Sequence, residues 1–414
     1  MGHFMDTLSE NEGLSTKTWL FMDKYKYMTN ISKHIGELTA ESVQLLKEMI
    51  AIPSPSFNED AVCSHISSWM AERGIVHERI GNNIIAESIV DSSRPTLMLC
   101  AHIDTVSPTE EYTFDPYNPD YKAAAEAISH IHGASLSSED IVAGLGSNDD
   151  GASVVTMLAA YRHMYSKANI ILVLSCEEER SGKGGMTGLW GRRICARKDA
   201  LEGCQHEGCT LVDFAIVGEP TGMKAAIAER GLLVIDAVAE GVSGHAARNE
   251  GVNALYIALE DIQTLRNHIF GKVSARMGKI NINVTQINAG SAHNVIPDKC
   301  SFVVDVRSNE CYSNKELLEI VKLNVGSNVT ARSTRLNSSF IPLEHPLVKR
   351  VLEMGCRPYG SPTLSNQSLV SNIPTLKMGP GDTARSHTAN EFVLISEIRD
   401  GIEKFTAMLD GLKL

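Results

Sequence analysis

The amino-acid sequence predicts an α/β chain in which a mostly parallel sheet, with helices on both faces, is interrupted by a smaller α+β domain. Three observations carry this. Short apolar runs (TLMLCAHID at 96–104, NIILVLSCEEE at 169–179, FAIVG at 214–218) are each followed by a polar or Gly-rich turn. Helical patterns separate them, with no two-residue hairpin turns, as parallel sheets require. Between about Lys224 and Arg335 the texture changes to alternating strands (LLVIDAVAEG, KININ, SFVVDVRS) with two helical stretches, near Asn253 to Ile269 and Asn314 to Val325.

In chain order, residues 1–37 mix charge, Ser, Thr and aromatics before any clear periodicity and are read as an N-terminal extension, partly helical around Trp19 to Tyr27. From about Thr39, the positions Leu45, Leu46, Met49 and Ile50 trace one face of a helix, which Pro53 and Pro55 stop. A second helix is expected over about Glu59 to Arg73. Residues 120–140 form an insertion with its own short helix, and His130 and His132 within it are read as surface residues. The segment after Asn337, with helices near Pro346 to Met354 and Ser396 to Leu409, rejoins the first domain. The division expected is 1–37, 38–223, 224–335 and 336–414.

Bulk properties exclude several functions. A length of 414 residues suits two domains, and 43% hydrophobic with 21% charged residues is ordinary globular composition. The net charge of −12 argues against a nucleic-acid partner, which needs basic surface. No apolar run approaches the ~20 residues of a membrane helix, and MGHFMDTLSENEG lacks a basic end followed by an apolar stretch. Nine scattered cysteines suit reduced thiols, so a soluble cytoplasmic protein is expected. The run CQHEGC, with Cys204, His206 and Cys209, fits no closed tetrahedral zinc pattern.

Chemistry-bearing residues collect at the carboxyl ends of the predicted strands, where α/β sheets place their sites. His102 leaves a strand beside Asp104, a spacing that lets the carboxylate orient the imidazole. Asp149 and Asp150 are adjacent in a Gly-rich turn ahead of a helix; either can cap that helix, but two neighbouring carboxylates also invite a cation. Glu177, Glu178 and Glu179 follow a buried strand, Glu219 follows FAIVG, and His387 lies in a late Gly-rich loop. Two imidazoles and several carboxylates form a donor set suited to zinc, or to cobalt or manganese in its place.

The order AHIDTV, GLGSNDDG, EEERSG, GEPT, SGHAARNEGVNA, HNVIPDKCSFVVDVRS and GPGDTARSHTANE resembles the dinuclear zinc family of acetylornithine deacetylase, succinyl-diaminopimelate desuccinylase, aminoacylase and carboxypeptidase G. The resemblance implies a catalytic domain interrupted by a lid domain that also forms a homodimer. It implies that Asp149 bridges two zinc ions, with His102 and Glu219 completing one site and Glu179 and His387 the other. Glu178 would be the general base, and Asp104 the carboxylate behind His102. His245 would stabilise the oxyanion in the partner subunit's site, and Asn294 and Arg307 would bind the substrate's polar groups and carboxylate. Asp150 directly before Gly151, and Glu177 opening the acidic triplet, depart from the usual pattern and leave every ligand type intact.

GLGSND with EEERSGKGGM is most similar to the acetylornithine deacetylase branch. The implied activity is removal of an acetyl or succinyl group from ornithine, a step of arginine biosynthesis acting on a small N-acyl amino acid. Alternatives on the same metal core are succinyl-diaminopimelate desuccinylase and a metallo-dipeptidase or carboxypeptidase. A metal-binding scaffold without turnover would need the base lost while the ligands remain.

Overall fold

A computed structural model describes residues 16–201, 208–248 and 250–412. Its large sheet runs, in spatial order, Glu78–Ile80, Asn83–Ser88, Ile170–Ser175, Leu97–His102, Phe214–Val217, Thr375–Lys377, Ala226–Glu229 and Ser339–Phe340, with Tyr359–Ser361 also pairing Ala226–Glu229. The middle is parallel: Leu97–His102 lies between Ile170–Ser175 and Phe214–Val217, which in turn pairs Thr375–Lys377.

Both flanks turn antiparallel, so the sheet is mixed rather than parallel throughout. One cause is a hairpin absent from the sequence expectation. Ile80 pairs Asn83 across Gly81 and Asn82, and Gly81 at φ +59 takes the left-handed conformation such a turn needs.

The central strands are wholly buried because both faces are covered. Leu97, Leu99 and Ala101 point into a core shared with the helices Thr16–Ile50, Asp60–Glu72, Ala152–Met164 and Ile395–Asp410. Met98 and Cys100, one residue out of phase, pack on the other face with Met186, Leu189, Ile194 and Val370. The helix Thr16–Ile50 runs unbroken past position 37, so the expected extension and first domain share one element. Its buried face includes Ile35, Leu38, Leu45, Leu46 and Met49.

In the expected insertion, the helix Tyr121–His132 starts where the Asp120 carboxylate accepts the Lys122 and Ala123 N–H groups, and ends at Gly133, φ +62. Ala124, Ala125 and Ile128 pack on the paired strands Ile141–Ala143 and Phe392–Leu394, leaving His130 and His132 exposed.

A second, antiparallel sheet is built from Asn281–Ala289, Lys299–Ser308, Gly231–Glu240 and Asn328–Ala331. Alternate residues Leu233, Ile235, Ala237 and Phe302, Val304, Val306 face a core completed by residues of the helices Ala254–Asn267 and Asn314–Asn324. Among the described residues no helix is long and apolar enough to cross a membrane.

Candidate metal centre

His102 closes the strand Leu97–His102 and is 2% exposed. Its Nδ1 meets the Asp104 backbone oxygen at 2.9 Å and the Asp104 carboxylate at 3.5 Å. Its Nε2 lies 3.2 Å from Asp149 Oδ1. Asp149 sits in the buried turn Ser147–Gly151 that feeds the helix Ala152–Met164. Glycines allow that turn: a Cβ on Gly146 would lie 2.6 Å from Thr105 Cγ2, and one on Gly151 would lie 2.4 Å from the Gly146 oxygen.

The other Asp149 oxygen, Oδ2, lies 3.8 Å from His387 Nε2, and His387 also meets Glu179 Oε2 at 3.0 Å. His387 adopts φ +56 and is half exposed on the cleft side. Donor atoms of His102, Asp149 and Glu179 all lie within 4.8 Å of one another.

Asp104 orients more than the imidazole. Its two oxygens accept the backbone N–H groups of Glu178 (2.9 Å) and Glu179 (3.1 Å), and the Ser56 hydroxyl at 2.7 Å. One buried carboxylate therefore fixes the Glu178 and Glu179 backbone and lies against the His102 ring. Glu219 follows Phe214–Val217, where the Gly218 N–H donates to the Cys100 oxygen at 2.7 Å and ties this strand end to the one carrying His102.

Electrostatics show what the cluster demands. Burial, then the neighbouring charge of Glu179, Asp104 and Asp149, pushes Glu178 up to about 8 against the pull of His102. Burial with the charges of Asp149 and Glu178 holds Glu219 well above the carboxylate range. Burial and Asp149 raise Asp150 to about 7. Burial disfavours charge on His102, but Asp104 and Asp149 outweigh it and hold the imidazole well above its usual value. Hydrogen bonding to Glu179 raises His387 to about 9. So many buried acids around two imidazoles stay partly protonated unless a cation joins them, and an imidazole–carboxylate donor set fits a divalent metal.

The structure thus brings together His102, Asp104, Asp149, Glu178, Glu179 and His387, with Glu219 in electrostatic reach. It does not bring the other three expected residues there. His245 and Asn294 share an exposed ribbon of the second domain, where His245 pairs Val295 and the Ala246 N–H donates to the Asn294 oxygen at 3.0 Å. Arg307 forks onto Asp305 two residues earlier, at 2.9 and 3.2 Å. Among the described residues no hydrogen bond or ion pair joins these three to the centre. Of the CQHEGC run, Cys204 and His206 lie outside the described residues, and Cys209 packs against Cys195 with 2.6 Å between the sulfurs.

Sequence reasoning passed over Glu391. This buried carboxylate accepts the N–H groups of Gly146, Asn148 and Asp149. Its one signal was position, closing the motif GPGDTARSHTANE.

A family described as the peptidase dimerisation domain matches residues 227–328. A putative [LysW]-lysine/[LysW]-ornithine hydrolase of Pyrobaculum aerophilum is 24% identical over 373 residues, covering 86% of this chain and 93% of its own. The acetylornithine deacetylase of Proteus mirabilis is 24% identical over 408 residues, covering 90% and 97%. Among solved structures, a dinuclear metal-binding peptidase of the M20 family from Bacillus subtilis superposes with a TM-score of 0.62 at 13% identity, covering 91% of this chain and 99% of its own.

Proposed function

The chain belongs to the M20 peptidase family of hydrolases acting on amide and peptide bonds, and from that premise we propose that it is a zinc-dependent deacylase of N-acyl amino acids, with N-acetyl- or N-succinyl-L-ornithine as substrate. The observation that carries this reading is the Asp149 carboxylate, which turns one oxygen to His102 and the other to His387, as a residue shared by two cations would. His102 and Glu219 would hold one ion, Glu179 and His387 the other, with cobalt or manganese able to replace zinc.

When bound, such a pair polarises the scissile carbonyl and acidifies the attacking water. The remaining work falls to the chain. Glu178, whose backbone N–H is held by Asp104 beside these ligands, would take the proton of the water and pass it to the leaving amine. Asp104 fixes the Glu178 backbone and the His102 ring together. His245, on its exposed ribbon, suits donation to the developing oxyanion in the site of a second subunit, in a homodimer formed through the second domain. Among the described residues Cys63, Cys100, Cys176, Cys300, Cys311 and Cys356 are free thiols, which supports a cytoplasmic setting, where a step of arginine biosynthesis belongs.

A metallo-dipeptidase or carboxypeptidase reading uses the same centre and differs in the pocket. Rates of the zinc-loaded protein on N-acetylornithine, N-succinylornithine, succinyl-diaminopimelate and a dipeptide separate these readings. We expect an acylornithine to be fastest; faster cleavage of the dipeptide transfers the chain to the peptidases, and no turnover of any substrate leaves a metal-binding scaffold.

A further inference from the structure

A cleft of about 430 Å³ opens against the centre, and its lining includes Ser56, Phe57, Thr105, Glu179, Arg180 and His387. That volume suits a small substrate. Two of its residues are unusual for a surface. Phe57 is 62% exposed and holds φ +74, with its N–H donating to Glu59 at 2.8 Å, so a strained, anchored turn presents an aromatic ring to solvent. Arg180 is exposed, and among the described residues its guanidinium makes no hydrogen bond and no ion pair, although three glutamates precede it.

The loop carrying Arg180 is braced. The Ser181 N–H donates to the Glu178 oxygen at 2.8 Å, and the Arg335 guanidinium donates to the Ser181 oxygen. Arg180 is also the one Lys or Arg among the described residues lining the cleft. Arg307, the cation expected for the substrate carboxylate, already has its fork on Asp305.

We propose that Arg180 and Phe57 form a subsite for a carboxylate carried on a short apolar arm of the substrate, one arm's length from the scissile amide. This rests on the deacylase reading, which supplies substrates bearing carboxylates. The planar guanidinium matches a carboxylate with two parallel N–H donors, and the ring covers the methylenes between that carboxylate and the amide. Among the described residues of the lining, Arg180 supplies the one full positive side-chain charge of Lys or Arg type, beside Glu179, for a carboxylate entering the cleft. Two groups carry this chemistry: the far carboxylate of a succinyl group and the α-carboxylate of the amino acid. The first places the subsite on the acyl side and favours succinyl over acetyl substrates.

The test compares wild type with Arg180→Gln, both carrying two metal ions per chain by elemental analysis, on N-acetylornithine, N-succinylornithine and the α-amide of each. Succinate and acetate binding, measured by calorimetry, gives a readout independent of turnover. We expect the ratio of kcat/KM for succinyl over acetyl substrate to fall about tenfold or more in Arg180→Gln, mainly through KM, and the preference for succinate over acetate to disappear. A loss that instead follows the free α-carboxyl on both acyl groups also supports the subsite and assigns its occupant to the other end. Unchanged ratios and unchanged succinate preference overturn it. If wild type turns over none of the four yet still prefers succinate through Arg180, the deacylase reading fails and the subsite stands.

Discussion

Glu391 accepts the backbone N–H of Asp149 at 2.9 Å, across 242 positions of sequence. The same carboxylate takes the Asn148 N–H at 2.8 Å and the Gly146 N–H at 3.0 Å, so one buried group shapes the turn that presents Asp149. Glu391→Ala would leave three buried N–H groups without acceptors, at about 1–3 kcal/mol each. The expected outcome is a loss of about 3 kcal/mol or more in urea unfolding, together with a lowered metal content. Glu391→Gln, which keeps one acceptor oxygen, should fall between. Wild-type metal content in Glu391→Ala would show that the turn holds its shape unaided.

Metal binding should tighten with pH and release protons. Burial raises Glu178 and Glu391 to about 8 and Asp150 to about 7, and Glu219 also stands above its ordinary range. A group whose folded pKa is raised stabilises the fold below its unfolded pKa and loses that contribution as pH climbs through the folded value. The metal-free protein should therefore lose stability from about pH 4.5 to 8, as these acids ionise against one another. His387, raised to about 9, loses its contribution over the upper part of that range and beyond. Cations bind the ionised form, so the stabilisation by zinc should grow over the same window. Melting temperatures from pH 5 to 8.5, with chelator and with zinc, check this; parallel curves would sink it.

Separating ligand from base needs two variants. Glu178→Ala should keep two metal ions per chain and lose about 10²–10⁴-fold in kcat. His387→Ala should retain the fold, since the ring is half exposed, and lose one ion. Elemental analysis beside initial rates distinguishes them, and full turnover by Glu178→Ala would remove it as the base.

Most of the candidate residues were legible because they follow apolar strands, as functional loops of an α/β sheet do: His102, Glu178, Glu179 and Glu219 lie at such ends, while His387 was marked by its Gly-rich loop. Glu391 was not legible, because it offers only acceptor atoms to backbone N–H groups far away in sequence, and no local pattern marks that use. The parallel middle of the sheet could be read from uninterrupted apolar runs. One antiparallel flank could not: Glu78–Ile80 is a three-residue, largely exposed strand, and its direction against the buried Asn83–Ser88 is set by the Gly81 turn. The helix continuity past residue 37 escaped because the pattern of Ile35 and Leu38 merges with that of Leu45 only after packing shows a shared buried face.

Complementation between subunits would locate His245. If the ribbon bearing His245 and Asn294 serves a partner's centre, His245→Ala and Glu178→Ala are each inactive for different reasons, and a mixed dimer contains one site with both native residues. Random pairing of equal amounts should restore about a quarter of wild-type activity. Mass measurement in solution must show a dimer under the same conditions. No recovery after subunit exchange would place His245 in its own subunit's chemistry or outside the reaction.

Behind the centre, Lys377 is 1% exposed, with its ammonium 3.0 Å from the buried Glu229 carboxylate. It donates as well to the Thr363 oxygen and hydroxyl at 3.0 and 3.1 Å, while the Ser365 hydroxyl donates to Glu229 at 2.7 Å. Glu229 ends the last strand before the chain enters the second domain, so the pair sits at that junction. Removing one partner strands the other charge away from water, which costs about 3–5 kcal/mol, whereas removing both leaves no buried charge. Lys377→Met should therefore destabilise by that amount, and the double variant Lys377→Met with Glu229→Leu should recover much of the loss. The unfolding free energies of the two single variants and the double variant give the coupling directly; additive losses would mean that the two groups act independently.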